Sequence, residues 1–304
     1  MFFVNPDPFL VPSYRMSPFM TTSIAANNQL PENDFAIHYL NTKFGKENWK
    51  FTQNGRHAIA EALNNYSLSK TDIVTVLTTS QNLYISSCVT KTIEEFCQWN
   101  REIIPETKVI LVNHEFGFPY QNMEALVSLG IPIIEDCCTT FFSQDENQKI
   151  GKYGDFSVFS LPKFFPIQIG GILVSKKNIL DENQLVTPAI YNYMLKVLSN
   201  QLEKDKHLLE KRAENYHYAL SKFESLGFEA RFHNNHLIVP YALLLKNNGI
   251  LKNLNQWKDF LNKNGIHNSV FYGEDAFFIA NHQSLSLTDI DFMYECMVQF
   301  IANN

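Results

Sequence analysis

The sequence predicts an α/β protein in which helices flank a largely parallel sheet, followed by a smaller C-terminal α+β lobe. Three observations lead there. Short runs of apolar β-formers such as "KVILVN" and "PIIEDCC" recur without polar alternation, as in strands buried on both faces. Helical patterns stand between these runs, and that alternation builds a parallel sheet. After about residue 185 the texture changes to a long, charge-rich helical pattern that leads into the second lobe.

The elements follow in order. "HAIAEALNNYSL" (His57 to Leu68) has apolar residues at helical spacing and follows "NG", a turn signal. "DIVTVLTT" and "KVILVNHEF" read as strands. "QNMEALVSLG" reads as a helix ending at Gly130, "IPIIEDCC" as a buried strand, and "DFSVFSL" and "GGILVSKK" as two more. The pattern from Tyr191 to Gly227 is one long helix with a possible interruption. "FEARFHNNHLIVPYAL" reads as strands and "LNQWKDFLNKNGI" as a helix ending near Gly265. "SLTDIDFMYECMVQFIANN" closes the chain as a helix capped by Ser286 or Thr288. The division expected is a large domain over 1–190 and a small one over 191–304.

Composition narrows the function classes. The 304 residues are 45% apolar and 18% charged, which describes a folded globular chain. The net charge is −6 and no basic run is present, which argues against nucleic acid. No run approaches the roughly 20 apolar residues that span a bilayer. The start is apolar, but Pro6, Pro8, Pro12 and Asp7 interrupt it without a basic flank, so it does not read as a signal peptide. Five cysteines, an odd count without zinc-type spacing, fit a reducing cytoplasm. Cys137 and Cys138 read as small buried hydrophobes.

Three features carry chemistry. "TQNGRHAIAEAL" places Gly55 in a turn that opens a helix, where unpaired N–H groups suit a phosphate. Asp136 in "PIIEDCC" stands at the expected C-terminal end of a strand, where open α/β sheets bind ligands. Lys163 in "FSLPKFFPIQIGG" lies just beyond a strand, after Ser160 and before Gly170–Gly171. Apolar surroundings disfavour the charged form of a lysine and make its amine more nucleophilic, which suits Schiff-base formation. Each feature alone has an ordinary explanation: a plain Asn-Gly turn, a capping aspartate, or a lysine reaching to solvent. Together they are what pyridoxal 5′-phosphate (PLP) requires.

The motifs resemble those of the DegT/DnrJ/StrS family of PLP-dependent sugar aminotransferases. "NGRHAIAEAL" resembles its phosphate turn, "NHEFGFPYQNMEALVSLGIPIIEDCC" its segment ending in E-D-A-A, and "GKYGDFSVFSLPKFFPIQIGGILVS" its Ser, Lys and Gly-Gly segment. "YNYML" and "FFIANHQSLSLTDIDFMYECM" resemble the start of its long helix and its terminal motif. The resemblance implies fold type I, with an aspartate aminotransferase-like large domain around a seven-stranded-type sheet and a small α+β domain. It implies Lys163 as the Schiff-base lysine and Asp136 as partner of the pyridine nitrogen. Gly55, Arg56 and Ser160 would lie at the phosphate, Thr139 near the cofactor ring, and Asn192 would reach the neighbouring subunit's phosphate. It also implies a homodimer with shared sites, an amino donor such as glutamate, and a keto-sugar acceptor, nucleotide-linked and serving polysaccharide or antibiotic-sugar pathways.

Some positions depart from the family pattern. Thr139 stands where Gln or His is usual, Ile169 replaces an acidic residue, and the Ser160-to-Lys163 gap is two residues shorter. Met194 replaces a basic residue, and no strand like the usual "PVFVDVD" is visible after Trp99. A non-catalytic or regulatory relative is therefore the alternative reading. A PLP dehydratase, in which His often replaces the lysine, is argued against by Lys163. His114 reads as a strand-end histidine satisfied by backbone, and "HNNH" (His233 to His236) as a metal pair without a third ligand.

Overall fold

The computed structural model describes residues 13–176 and 185–303. The signal-peptide question at residues 1–12 lies outside them, as does the last residue of the expected strand "GGILVSKK". The strands of the first sheet are β1 (Trp49–Thr52), β2 (Ile73–Thr78), β3 (Gln98–Asn100), β4 (Thr107–Asn113), β5 (Ile133–Asp136), β6 (Phe156–Ser160) and β7 (Gly171–Ser175). They form one seven-stranded sheet in the order β1-β7-β6-β5-β4-β2-β3. β3, β2, β4, β5 and β6 run parallel. β7 is antiparallel to both its neighbours.

The unbroken apolar runs are explained by burial on both faces. Val109 and Leu111 of β4 join one core cluster, while Ile110 and Val112 join the other. On one side the sheet packs against α3 (Gly55–Asn64) and α4 (Ser87–Glu94) through Ala58, Ile59, Leu63, Val89 and Ile93. The other side is covered by α2 (Phe35–Phe44) and α6 (Pro188–Leu202) through Leu40, Phe44, Met194 and Leu198. α1 (Thr22–Gln29) precedes α2, and α5 (Met123–Ser128) follows β4. The chain leaves α5 through Gly130 at φ +69°, a left-handed stop.

The second sheet is antiparallel, in the order β10-β11-β9-β8. Its strands are β8 (Glu229–Ala230), β9 (Ala242–Lys246), β10 (Asn268–Val270) and β11 (Ala276–Ala280). α7 (Asp205–Glu224) and α8 (Leu254–Lys263) pack against it, and α9 (Leu287–Ala302) packs on both helices. Ser286 and Asp289 close a reciprocal capping box on α9, which selects Ser286 over Thr288 as the cap.

The structure corrects two expectations and decides a third, the interruption of the long helix. Two strands absent from the sequence reading, β1 and β3, are the short edges of the sheet, β1 beside β7 and β3 beside β2. An edge strand with one partner needs no long apolar run, so its signal is weak. The long helical pattern breaks at Glu203–Lys204 into α6 and α7, which bury their faces against different partners, α2 and α9. The stretch read as strands over 228–243 pairs only at its two ends. Its middle is a strap that returns to the large sheet. There the Gln144 N–H donates to the Leu237 carbonyl at 2.9 Å and the Tyr241 N–H to the Phe116 carbonyl at 2.7 Å. Pro240 has no N–H to give a ladder, which favours this irregular path.

Candidate functional site

A cavity of about 670 Å³ opens at the C-terminal ends of β4, β5 and β6, where the second lobe faces the sheet. That is where open α/β sheets bind ligands. Gly55, Arg56, Asp136, Thr139, Ser160 and Lys163 all line it.

The floor is the start of α3. Asn54 caps the helix, its side chain accepting from the His57 N–H at 3.0 Å, so the first turn is held in place. Gly55 is there because nothing larger fits: a Cβ would lie 2.8 Å from Cys138 Sγ and 3.4 Å from Ser160 Cβ. The glycine pair after Lys163 has the same logic. A Cβ on Gly171 would meet Thr52 Oγ1 at 2.6 Å and the Asn54 carbonyl carbon at 2.7 Å. Gly170, at φ +109°, leaves room for Leu161 and for Met194, which is a core side chain here. Arg56 is exposed at the cavity rim.

Asp136 ends β5 and is almost wholly buried. Its Oδ2 accepts from Asn113 Nδ2 at 2.7 Å and its Oδ1 from the Cys138 N–H at 3.1 Å. The carboxylate is thereby aimed and kept from swinging. Thr139 follows, its hydroxyl donating to the His114 carbonyl at 2.8 Å. Of the two cysteines, Cys137 is core as expected, whereas Cys138 is half-buried and lines the cavity. Burial pushes both thiols well above the ordinary range. They are neutral at physiological pH.

Lys163 sits on a single 3₁₀ turn (Leu161–Lys163) that follows β6 directly. Its Nζ lies over the Tyr241 ring, 5.1 Å from the ring centre. Attraction to the Tyr241 phenolic oxygen, ahead of the burial that opposes it, holds the Lys163 pKa above the ordinary lysine value. This corrects the expectation that apolar surroundings would leave a neutral amine. A polar partner from the second lobe reverses the balance, and the unliganded side chain is an ammonium at neutral pH.

Tyr241 is delivered by the strap and fixed by Arg212 of α7. The buried guanidinium donates from Nε to the Pro240 carbonyl at 3.1 Å and from Nη2 to the Tyr241 carbonyl at 2.9 Å. Its Nη1 donates to Gln283 Oε1 at 2.8 Å, and the group lies 4.7 Å over the Phe164 ring. Burial lowers its pKa to about 10, which leaves it charged.

Asn192 is not brought to this cavity; it is exposed on α6. His114 is fully buried and its ring is occupied. Nδ1 accepts from the Tyr120 N–H at 3.0 Å, so Nε2 carries the proton and donates to Glu135 at 3.2 Å. Glu135 also accepts from the N–H groups of Gly151, Tyr153 and Gly154. Among the described residues, the one group of three metal-type ligands is His114, Glu135 and Cys137. These hydrogen bonds already use its histidine and carboxylate, and His233 and His236 are not part of it. Sequence reasoning missed Asn113, Cys138, Tyr241 and Arg212. Asn113 could have been found from its place at the end of a parallel strand beside Asp136. Tyr241 and Arg212 lie far along the chain and carry no local signal.

The residues fit PLP. The close approach of Gly55 to Cys138 and Ser160 leaves a side-chain-free cradle at a helix N-terminus, where a phosphate would be held. Asp136 is a fixed acceptor for a protonated ring nitrogen, and Lys163 is the amine on the same cavity.

Residues 96–187 match the model of the DegT/DnrJ/EryC1/StrS aminotransferase family. No curated relative matches the sequence. Solved structures match over nearly the whole chain. The aminotransferase TlmJ from Streptoalloteichus hindustanus superposes with a TM-score of 0.73 at 14% identity, covering 93% of this chain and 95% of that one. Spr1654 from Streptococcus pneumoniae, assigned as a sugar aminotransferase and solved in its PMP form, has a TM-score of 0.71 at 16% identity, covering 98% of each chain. The GDP-4-keto-6-deoxy-D-mannose-3-dehydratase of E coli, with hydrated PLP, has a TM-score of 0.66 at 15% identity, covering 94% of this chain and all of that one. The fold is that of the fold type I PLP enzymes, and the family expected from the motifs is the one whose model matches.

Proposed function

We propose that this protein is a PLP-dependent aminotransferase that passes an amino group from an amino acid such as glutamate to a keto-sugar, nucleotide-linked. One observation carries the reading: Lys163, Asp136, Ser160 and the Gly55 turn, scattered over more than a hundred residues, line one cavity. PLP supplies an electron sink that lets a carbon next to nitrogen lose and regain a proton. The chain's own residues do the rest. Gly55, Ser160 and Arg56 bind the phosphate. Asp136, aimed by Asn113, keeps a proton on the ring nitrogen. Lys163 holds and moves a proton at Nζ, with the Tyr241 oxygen as its hydrogen-bond partner.

The same reading includes a homodimer in which Asn192, exposed on α6, faces the partner's phosphate, and a place in the cytoplasm in polysaccharide or antibiotic-sugar synthesis. It also includes the division into a large domain, 1–190, with all strands of the first sheet, and a small one, 191–304, with all strands of the second. Among the described residues no helix is long and apolar enough to cross a membrane.

The test is the visible absorption of purified protein on adding PLP, for wild type and Lys163→Ala, followed by borohydride reduction and peptide mapping. A lysine-dependent band and a reduced adduct on Lys163 are expected. Glutamate should then discharge the band. No band and no adduct would leave an aminotransferase fold without its chemistry. A band that glutamate leaves untouched favours the non-catalytic relative.

A further inference from the structure

We propose that Lys258 and Asn262 form an anion subsite on the second-lobe wall of the cavity, which binds an oxyanion group of a substrate. The inference rests on the reading above only in assigning the opposite wall to the cofactor.

Two buried residues set the rotation of α8. Trp257 and Leu261 are fully buried. The helix start is fixed by Asn253, which accepts from the N–H groups of Asn255 and Gln256 at 3.1 and 3.0 Å. Lys258 and Asn262, four residues apart, therefore share the next face, and both line the cavity. Asn268 of β10 stands behind the Asn262 side chain and the Lys258 backbone. Its Nδ2 donates to the Ile266 carbonyl at 2.9 Å and shares a second donation between the Lys258 carbonyl and Asn262 Oδ1, each at 3.2 Å. With Oδ1 taken, the Asn262 NH₂ group is left as a donor.

The charges on the cavity are divided by wall. Its carboxylates, Glu115 and Asp136, stand on the sheet side, where Glu115 accepts from the Ser80 N–H at 2.5 Å and Asp136 from Asn113. On the second-lobe side the polar groups are Tyr241, Lys258, Asn262, His267, Asn268 and Ser269, with no carboxylate among them. Burial and the nearby Lys163 both lower the His267 pKa. Lys258 takes part in none of the ion pairs among the described residues. A half-buried lysine with no counter-ion among the described residues, beside an amide donor, is matched by an anion. Both proposed substrates offer one, the amino donor as carboxylate and the sugar nucleotide as diphosphate.

Calorimetric titration of the PLP-treated protein with two unreactive probes separates the sources: glutarate for the carboxylate, uridine diphosphate for the diphosphate. In Lys258→Gln the affinity for one probe should fall about 10- to 100-fold, the worth of a charge-assisted hydrogen bond. Asn262→Leu should cost less, Lys258→Arg should stay within about threefold, and wild-type affinity should fall with added salt. The probe that responds names the source. Affinities unchanged for both probes in Lys258→Gln, or neither probe binding to wild type, would overturn the subsite. The Lys163 band is read in the same samples. Its absence in wild type would sink the cofactor reading alone, because anion binding is measured independently of it.

Discussion

Gly55 and Lys163 show how little room single residues have here. A methyl group at position 55 lands 2.8 Å from Cys138 Sγ, and side-chain sulfur is the nearest obstacle. We expect Gly55→Ala to weaken PLP affinity at least tenfold, and Gly55→Ala/Cys138→Ala to recover much of it, since the second change removes the clashing atom. Equal affinities for the single and double variants in a fluorescence titration would show that the clash is not with Cys138. Lys163 is governed by Tyr241, whose oxygen favours the ammonium. A raised lysine pKa means that the neutral amine appears only as pH climbs. Tyr241→Phe removes the attraction and leaves the burial, so the pH profile of PLP capture should move to lower pH. A profile that stays in place would exclude Tyr241 as the cause.

Among the elements, the strap between β8 and β9 decides whether the site exists. It is held by Arg212, whose donors serve the carbonyls of Pro240 and Tyr241. Arg212→Leu strands both carbonyls in the interior and should destabilise the fold by about 2–5 kcal/mol in urea denaturation. PLP capture should slow in whatever protein remains folded. Stability within about 0.5 kcal/mol of wild type would show that the strap is held elsewhere. Helix α9 offers a simpler case. Ser286 accepts from the Asp289 N–H, and Asp289 returns the bond. Ser286→Ala should cost about 1 kcal/mol, without altering the absorption band. The sequence narrowed this cap to Ser286 or Thr288, because a helix start is a local signal, and the structure chose Ser286. The strap was not legible in the sequence, because "FEARFHNNHLIVPYAL" has the residue types of a strand and takes its partners from loops distant in the chain, at Phe116 and Gln144.

At the scale of the whole molecule, burial ties stability to pH. His282 is buried where the N-terminal segment meets the second lobe. Its Nδ1 accepts from the Ser284 N–H, which leaves Nε2 to donate to the Arg15 carbonyl. Burial, with Arg212 nearby, lowers its pKa to about 3. The unfolded chain protonates this histidine near its ordinary value and the folded chain does not. Stability is therefore complete above about pH 6.5 and declines as pH falls toward about 3, by up to about 1.4 kcal/mol per pH unit from this group. Urea midpoints between pH 7 and 5 should fall more steeply for wild type than for His282→Gln; parallel slopes would remove His282 from the account. The sequence by itself determined the α/β class, the parallel strands and the chain order of Gly55, Asp136, Ser160 and Lys163. Apolar runs, helical periods and turn glycines are local, and a chemical motif is read along one stretch of chain. Only the tertiary structure decided that these residues meet in one cavity, that Tyr241 reverses the expected state of Lys163, and that Lys258 lines the same cavity with no counter-ion among the described residues. Those facts depend on contacts between lobes, where the energy of a charge is set by groups distant in sequence that packing brings near.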